Sequence, residues 1–184
     1  MVTGGGEMIN FVTGNRGKFE EARGILGDLL QKNLGYVEIQ AETLEEVAAY
    51  GIREVAGKLA GPVMIEDAGL FIEGLKGFPG VYSAYVFDTI GIGGILRLME
   101  GMTDRRAAFR SVVAYAEAGG EPVLFRGEVW GEIATEPRGS GGFGYDPIFM
   151  VGDKTIAEME LSEKNGISHR GASIRALNSW LSSR

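Results

Sequence analysis

Glu66 and Asp67 are adjacent carboxylates placed where a short apolar run, Val63 to Ile65, comes to an end. With Pro62 at its mouth, that run reads as a buried strand entered from a loop. Ligands of α/β proteins gather beyond the carboxyl ends of strands, so an acidic pair there is a candidate metal or general-base site. The alternative is a turn with two solvated acids. Asn15 and Lys18 lie in and after a turn, Gly14 to Gly17, that joins an apolar run to a helical pattern. Strand, glycine turn and helix together present free backbone N–H groups and a positive dipole end to an anion, and these two side chains add donors; the alternative is a plain strand-to-helix turn. It resembles a P-loop only in part. The first glycine of that motif would fall at Val12, and the hydroxyl residue after the lysine is Phe19, so that magnesium geometry is missing.

Two further stretches carry chemistry. Gly139 to Asp146, GSGGFGYD, sets Phe143 and Tyr145 among glycines, where an aromatic ring with no core to enter offers a stacking surface. Glu163 to Gly171, EKNGISHRG, holds the only histidine, His169, together with Lys164 and Arg170. A lone histidine has no second one with which to make a zinc site, and next to an arginine it suits a hydrogen-bonding clamp.

Composition narrows the classes. With 184 residues, 45% of them hydrophobic, the chain reads as one domain, 1–184, able to bury a core without staples. It has no cysteine, which removes disulfides, thiolate metal sites and a cysteine nucleophile, and is compatible with a cytoplasmic location. The 25 acidic residues outnumber the 18 basic ones, and the net charge of -7 argues against nucleic acid or an anionic membrane as partner. No apolar stretch reaches the length of a membrane span. Residues 1–7 lack the basic and apolar regions of a signal peptide and read as a disordered extension, with Met8 an alternative start.

The elements that must position these residues follow from periodicity. Met8 to Thr13 reads as the first strand, and a helix from Lys18 has apolar residues at Phe19, Ala22, Leu26, Leu29 and Leu30. Tyr36 to Ala41 reads as a second strand carrying Glu38. Thr43 and Glu46 form a capping-box pattern for a helix with Arg53 off its apolar face. Ile92, Ile95, Leu96 and Met99 mark another helix, and Ala172 to Leu181 a last one. Between Arg106 and Pro137 the rhythm alternates on both sides of Gly119-Gly120, a long antiparallel hairpin, so the sheet is expected to be mixed.

In combination, a phosphate cradle, an acidic cluster of Glu38, Glu66 and Asp67, an aromatic loop and a basic clamp suit a nucleotide with several phosphates. Mg²⁺ suits them too, since it prefers a few carboxylates plus substrate phosphates to an all-protein cage.

The same residues resemble the inosine triphosphate pyrophosphatase family, which removes ITP, dITP and XTP from the nucleotide pool. The likeness covers nearly the whole chain after Met8 and rests on TGNRGK (Thr13 to Lys18), EDAGL (Glu66 to Leu70), LKGFPGVYSA (Leu75 to Ala84), GFGYDPIF (Gly142 to Phe149) and EKNGISHRGA (Glu163 to Ala172). It implies an elongated mixed α/β fold of two lobes around a central substrate cleft, typically in a homodimer. It also implies Mg²⁺-dependent cleavage between the α and β phosphates, giving monophosphate and pyrophosphate. Thr13, Asn15 and Lys18 match the family's triphosphate-binding motif, Asp67 the carboxylate that activates water, and Glu38 a metal-linked glutamate. Phe143 and Asp146 match the base-stacking and base-contacting positions, with Tyr145 between them; Lys164, His169 and Arg170 match the remaining base and phosphate clamp. Two departures stand out: Ala68 where the family often has Ser or Thr, and Arg53 where it usually has Lys, a fork in place of a compact ammonium.

Donor-only Arg170 and an N–H of His169 suit a purine with oxygen at C6, and adenine would set its amino donors against them. A related enzyme acting on pyrimidine or modified-base triphosphates is the nearest alternative. A nucleotide sensor without catalysis is the alternative from another class.

Overall fold

A computed structural model describes residues 8–37 and 39–184. Eight strands form one mixed sheet in the order β2-β1-β3-β5-β6-β7-β8, with β4 paired to β3. The strands are β1 (Ile9–Val12), β2 (Leu29–Lys32), β3 (Val63–Ile72), β4 (Pro79–Gly80), β5 (Arg106–Ala116), β6 (Val123–Ile133), β7 (Phe149–Val151) and β8 (Lys154–Thr155). The helices are α1 (Arg16–Leu26), α2 (Leu44–Ala56), α3 (Ser83–Leu98), α4 (Leu161–Ile167) and α5 (His169–Ser182). Strand β1 runs parallel to β2 and β3, while β3·β4, β6·β7 and β7·β8 are antiparallel. The mixed α/β fold expected from the alternation of patterns is therefore present.

The chain divides into two compact units. The first comprises the described residues up to Asp67 with Ser111–Gly127 and Arg170–Arg184; the second comprises Ala68–Arg110 and Glu128–His169. Phe11, Met64, Val113, Phe125 and Ile174 are in the core of the first, closed by Trp180 edge-on to Tyr115 and Phe125. Leu70, Ile95, Met99, Phe109, Ile148 and Phe149 are in the core of the second.

Local chemistry explains the elements of the first unit. Asn15 caps α1 by accepting the Lys18 backbone N–H at 3.1 Å, which satisfies one of the donors a helix start leaves open. Helix α1 stops at Gly27, whose φ of +84° few other residues tolerate. Leu29 and Leu30, read from periodicity as a continuation of that helix, instead pair with Ile9 and Asn10 as β2. The apolar spacing was ambiguous there; the glycine decided it. Tyr36 to Ala41, read as a strand, has no regular structure at its described residues, and Glu38 lies outside them. Tyr36 has a different task. Its ring approaches Gly51 so closely that a β-carbon at Gly51 would lie 2.6 Å from it. The capping box of α2 forms as expected, with Thr43 Oγ1 accepting from the Glu46 backbone and Glu46 Oε2 from that of Thr43.

The main departure is β3. The apolar run does not end at the acids: one strand of 10 residues, Val63–Ile72, continues through Glu66 and Asp67. A buried carboxylate is tolerated inside a strand when it is paired, and Glu66 is paired on several sides.

Candidate functional site

In the first unit the strand–turn–helix of β1 and α1 brings Lys18 to β3. Thr13 Oγ1 accepts the Asn15 backbone N–H at 3.1 Å and shapes the turn, so Thr13, Asn15 and Lys18 form one local assembly. The Lys18 Nζ lies 2.8 Å from Glu66 Oε2 and donates to the Glu66 backbone carbonyl at 3.3 Å. The Glu66 side chain is 0% exposed, while that of Lys18 keeps 21% of its surface.

Glu66 is the hub of a larger network. The Ser111 hydroxyl donates to Glu66 Oε1 at 2.7 Å, and Arg170 Nε sits 3.1 Å from the same oxygen. Arg170 also donates to Glu21 Oε2 at 3.1 Å, and Ser173 joins Ser111 at 2.9 Å. Burial alone would raise the Glu66 carboxyl. The charges of Arg170 and Lys18, with hydrogen bonds from Lys18 and Ser111, outweigh it and hold the group well below the usual carboxylate range. Glu66 is therefore ionised inside the protein. Arg170 shows the converse: burial opposes its charge, and Glu66 and Glu21 more than restore it. Asp67, the next residue along β3, is half-buried at the point where the chain passes into the second unit.

The second unit carries a different constellation. Asp146 Oδ2 accepts the Phe143 backbone N–H at 2.9 Å and meets the Lys164 Nζ of α4 at 2.6 Å. The same ammonium lies 4.9 Å from the centre of the Phe143 ring, which is 51% exposed. Gly142 makes this loop possible. Its φ is +74°, and a β-carbon there would fall 2.0 Å from Asp146 Oδ2. His169 stacks on Phe109 at 4.9 Å, with 13° between the rings.

Two placements differ from expectation. Tyr145, read as part of a stacking surface, is buried. Its hydroxyl donates to the Ser83 carbonyl at 2.9 Å and its ring meets Phe87 edge-on, because the turn after Gly144 swings it toward the core. Arg170, read as facing a base, has its guanidinium against Glu66 and Glu21. Arg53, off the apolar face of α2 as expected, is exposed and lies 3.7 Å from the still more exposed Glu121. Ala68 continues β3, with its methyl part-buried. Sequence reasoning missed Ser111, Ser173 and Glu21. Ser111 left a usable trace, a hydroxyl in the otherwise apolar inner row of β5.

Fold and side chains together define a mixed α/β protein with charged groups gathered at a strand–turn–helix and at a glycine-rich loop. The sequence model of the Ham1 family matches residues 9–180, and the chain belongs to that family. It is 56% identical to a dITP/XTP pyrophosphatase of Thermococcus kodakarensis over 177 residues, 93% of this chain and 95% of the relative. It is 54% identical to one of Methanopyrus kandleri, over 92% of this chain and 94% of that one. Among solved structures, the Staphylococcus aureus Ham1 protein is similar with a TM-score of 0.86 and 34% identity, covering 96% of this chain and 99% of that one. A nucleoside-triphosphatase / dITP/XTP pyrophosphatase of Mycobacterium abscessus is similar with a TM-score of 0.76 and 31% identity, over 95% of this chain and 99% of that one.

Proposed function

We infer that this protein hydrolyses non-standard purine nucleoside triphosphates (ITP, dITP and XTP) to the monophosphate and pyrophosphate, and so clears them from the nucleotide pool. One observation carries the reading. The cation at the N-terminal turn of α1, Lys18, is fixed to the residue immediately before Asp67. A phosphate-binding ammonium and a water-activating carboxylate thus share one short piece of β3.

Lys18 and the open N–H groups of α1 bind the phosphates, assisted by Thr13 and Asn15. Asp67 takes a proton from water as the water oxygen attacks the α-phosphorus. The bond from that phosphorus to the bridging oxygen breaks, and pyrophosphate leaves with the electron pair. Lys18 stabilises the charge that gathers there. Among the described residues there is no group of three or more acids or histidines placed to hold a metal by themselves. Glu66 is already engaged by two cations. A donor set of few carboxylates fits Mg²⁺, which takes one or two of them with substrate phosphates. Asp67 and Glu38 are the residues that would hold it. When bound, the ion neutralises phosphate oxygens as negative charge moves toward the leaving group.

The base is read by the loop at 139–146 and Lys164. A purine stacked on half-exposed Phe143 meets the donor-only Lys164 and the acceptor Asp146. That pairing suits a C6 oxygen with N1–H and opposes adenine, which reverses both groups. His169 completes the base side of the clamp, and Arg170 serves the phosphate side through Glu66 and Lys18. The same reading takes the protein as a cytoplasmic homodimer that binds neither nucleic acid nor membrane; the charge of -7 disfavours anionic partners.

Pyrophosphate release from ITP, XTP, dITP, GTP and ATP, with and without Mg²⁺, tests the reading. ATP should be turned over about 10²-fold more slowly than ITP, and removal of the metal should abolish the reaction. Equal rates on ATP and ITP overturn the assignment of the base. A faster reaction with pyrimidine triphosphates favours the neighbouring enzyme class, and binding without release of pyrophosphate favours a sensor.

A further inference from the structure

Glu66 takes no step in the reaction above, yet its fully buried carboxylate is gripped by Lys18, Arg170 and Ser111. A charge inside a strand is expensive unless good geometry compensates it, and an apolar residue would serve packing better. The geometry is specific. Oε1 accepts from Ser111 at 2.7 Å and faces Arg170 Nε at 3.1 Å, which leaves Oε2 aimed at Lys18 Nζ, 2.8 Å away. The clamp is itself braced: Arg170 bonds Glu21, and Ser173 joins Ser111 to the Arg170 carbonyl, both at 2.9 Å. Lys18 is the partly exposed member. A lysine on a helix's first turn has about 2 kcal/mol of rotamer entropy to lose before it can meet a ligand in one place.

We propose that Glu66 is a positioning residue for the phosphate site: clamped by Arg170 and Ser111, its carboxylate holds the Lys18 ammonium in place before substrate arrives. This rests on the reading of Lys18 as a phosphate ligand. Preorganisation of a charge-stabilising group acts on the transition state, so its loss appears in kcat more than in KM.

Steady-state kinetics on ITP test the proposal with Glu66→Gln, Glu66→Asp and Ser111→Ala, each made alone and with Lys18→Met. Glu66→Gln should lower kcat at least about tenfold with a smaller change in KM. Glu66→Asp should recover part of that loss, and Ser111→Ala should lower kcat about threefold. In the Lys18→Met background these substitutions should have no further effect, since there is no ammonium left to place. Equal losses with and without Lys18 overturn the proposal and make Glu66 a packing element only. Should Glu66→Gln fail to fold, Ser111→Ala in the two backgrounds decides in the same way. A wild-type protein that releases no pyrophosphate from ITP overturns the functional reading beneath it; an active wild type with additive variants overturns the positioning role alone.

Discussion

Glu66 and Asp146 each pair with a lysine at contact distance, 2.8 Å and 2.6 Å, and their surroundings could hardly differ more. Glu66 stands inside β3, shared between two cations and a serine, with every partner on a strand or helix. Asp146 stands in a glycine loop and spends part of its carboxylate on that loop's own backbone, at Phe143. The first arrangement is built on regular elements throughout. The second depends on loop conformation and leaves an aromatic face open to solvent. The proposed reading gives the first the chemistry, which needs a charge held to within an ångström, and gives the second the recognition of a flat base.

The largest effect expected concerns the carboxylate next to Glu66. Asp67→Asn keeps the shape and removes the base, so kcat should fall by about 10²–10⁴. The melting temperature should hardly move. Pyrophosphate release and a thermal melt on one preparation check both, and turnover near the wild-type rate would take Asp67 out of the chemistry.

Stability should separate the two pairs next. Glu66→Ala leaves Arg170 buried against one carboxylate fewer and should cost about 3–5 kcal/mol. Lys164→Met takes the cation from a carboxylate that is also buried but still accepts the Phe143 N–H, and should cost less, about 1–3 kcal/mol. The pH dependence sharpens the contrast. The Glu66 carboxyl is held below its ordinary value of 4.5, so its stabilisation is complete above that pH and is lost only as pH falls through the lower folded value. Denaturant titrations should give a constant gap between wild type and Glu66→Ala from neutrality to about pH 4.5, narrowing at more acidic pH. A gap that closes near neutrality would show that Glu66 is not ionised in the fold.

Phe143→Ala should reverse the pattern. The ring is 51% exposed, so stability should hold. Loss of a stacked base costs about 1–3 kcal/mol, which is roughly a 5- to 150-fold rise in KM for ITP. An unchanged KM would move the base elsewhere.

How much of this was legible in the sequence depends on whether the signal was local. Asn15, Lys18 and the Thr43–Glu46 box act within a few residues of themselves, so their spacing announced them. The mixed sheet was legible from the change of rhythm at β5 and β6. Glu66 was legible as unusual but not as a hub, because Ser111 and Arg170, 45 and 104 positions away in the chain, reach it only through the fold. The same reason hid the continuity of β3. An acid ends a strand when water is its best partner, and nothing local revealed two cations waiting on other elements. Glycine spacing marked the loop at 139–146 but did not say which of its two aromatics turned inward.

That last ambiguity yields the smallest prediction. Tyr145 and Phe143 share a loop, yet the Tyr145 hydroxyl reaches the Ser83 carbonyl inside the second core. Tyr145→Phe should lower stability by about 1 kcal/mol at neutral pH, the usual worth of one buried hydrogen bond. It should leave KM and the ITP-to-ATP ratio as they are. Burial, with help from Asp88, pushes the Tyr145 hydroxyl up to about 12, so the folded state keeps the proton when the unfolded chain has given it up. Its stabilisation is complete below about pH 10 and is lost as pH rises toward 12. The phenylalanine variant has no such proton to lose, so its deficit relative to wild type should shrink across that window. Alkaline denaturation curves measure this directly. A deficit that stays constant, together with a raised KM, would mean that the inner ring also serves the ligand and that the division of labour between the two aromatics is wrong.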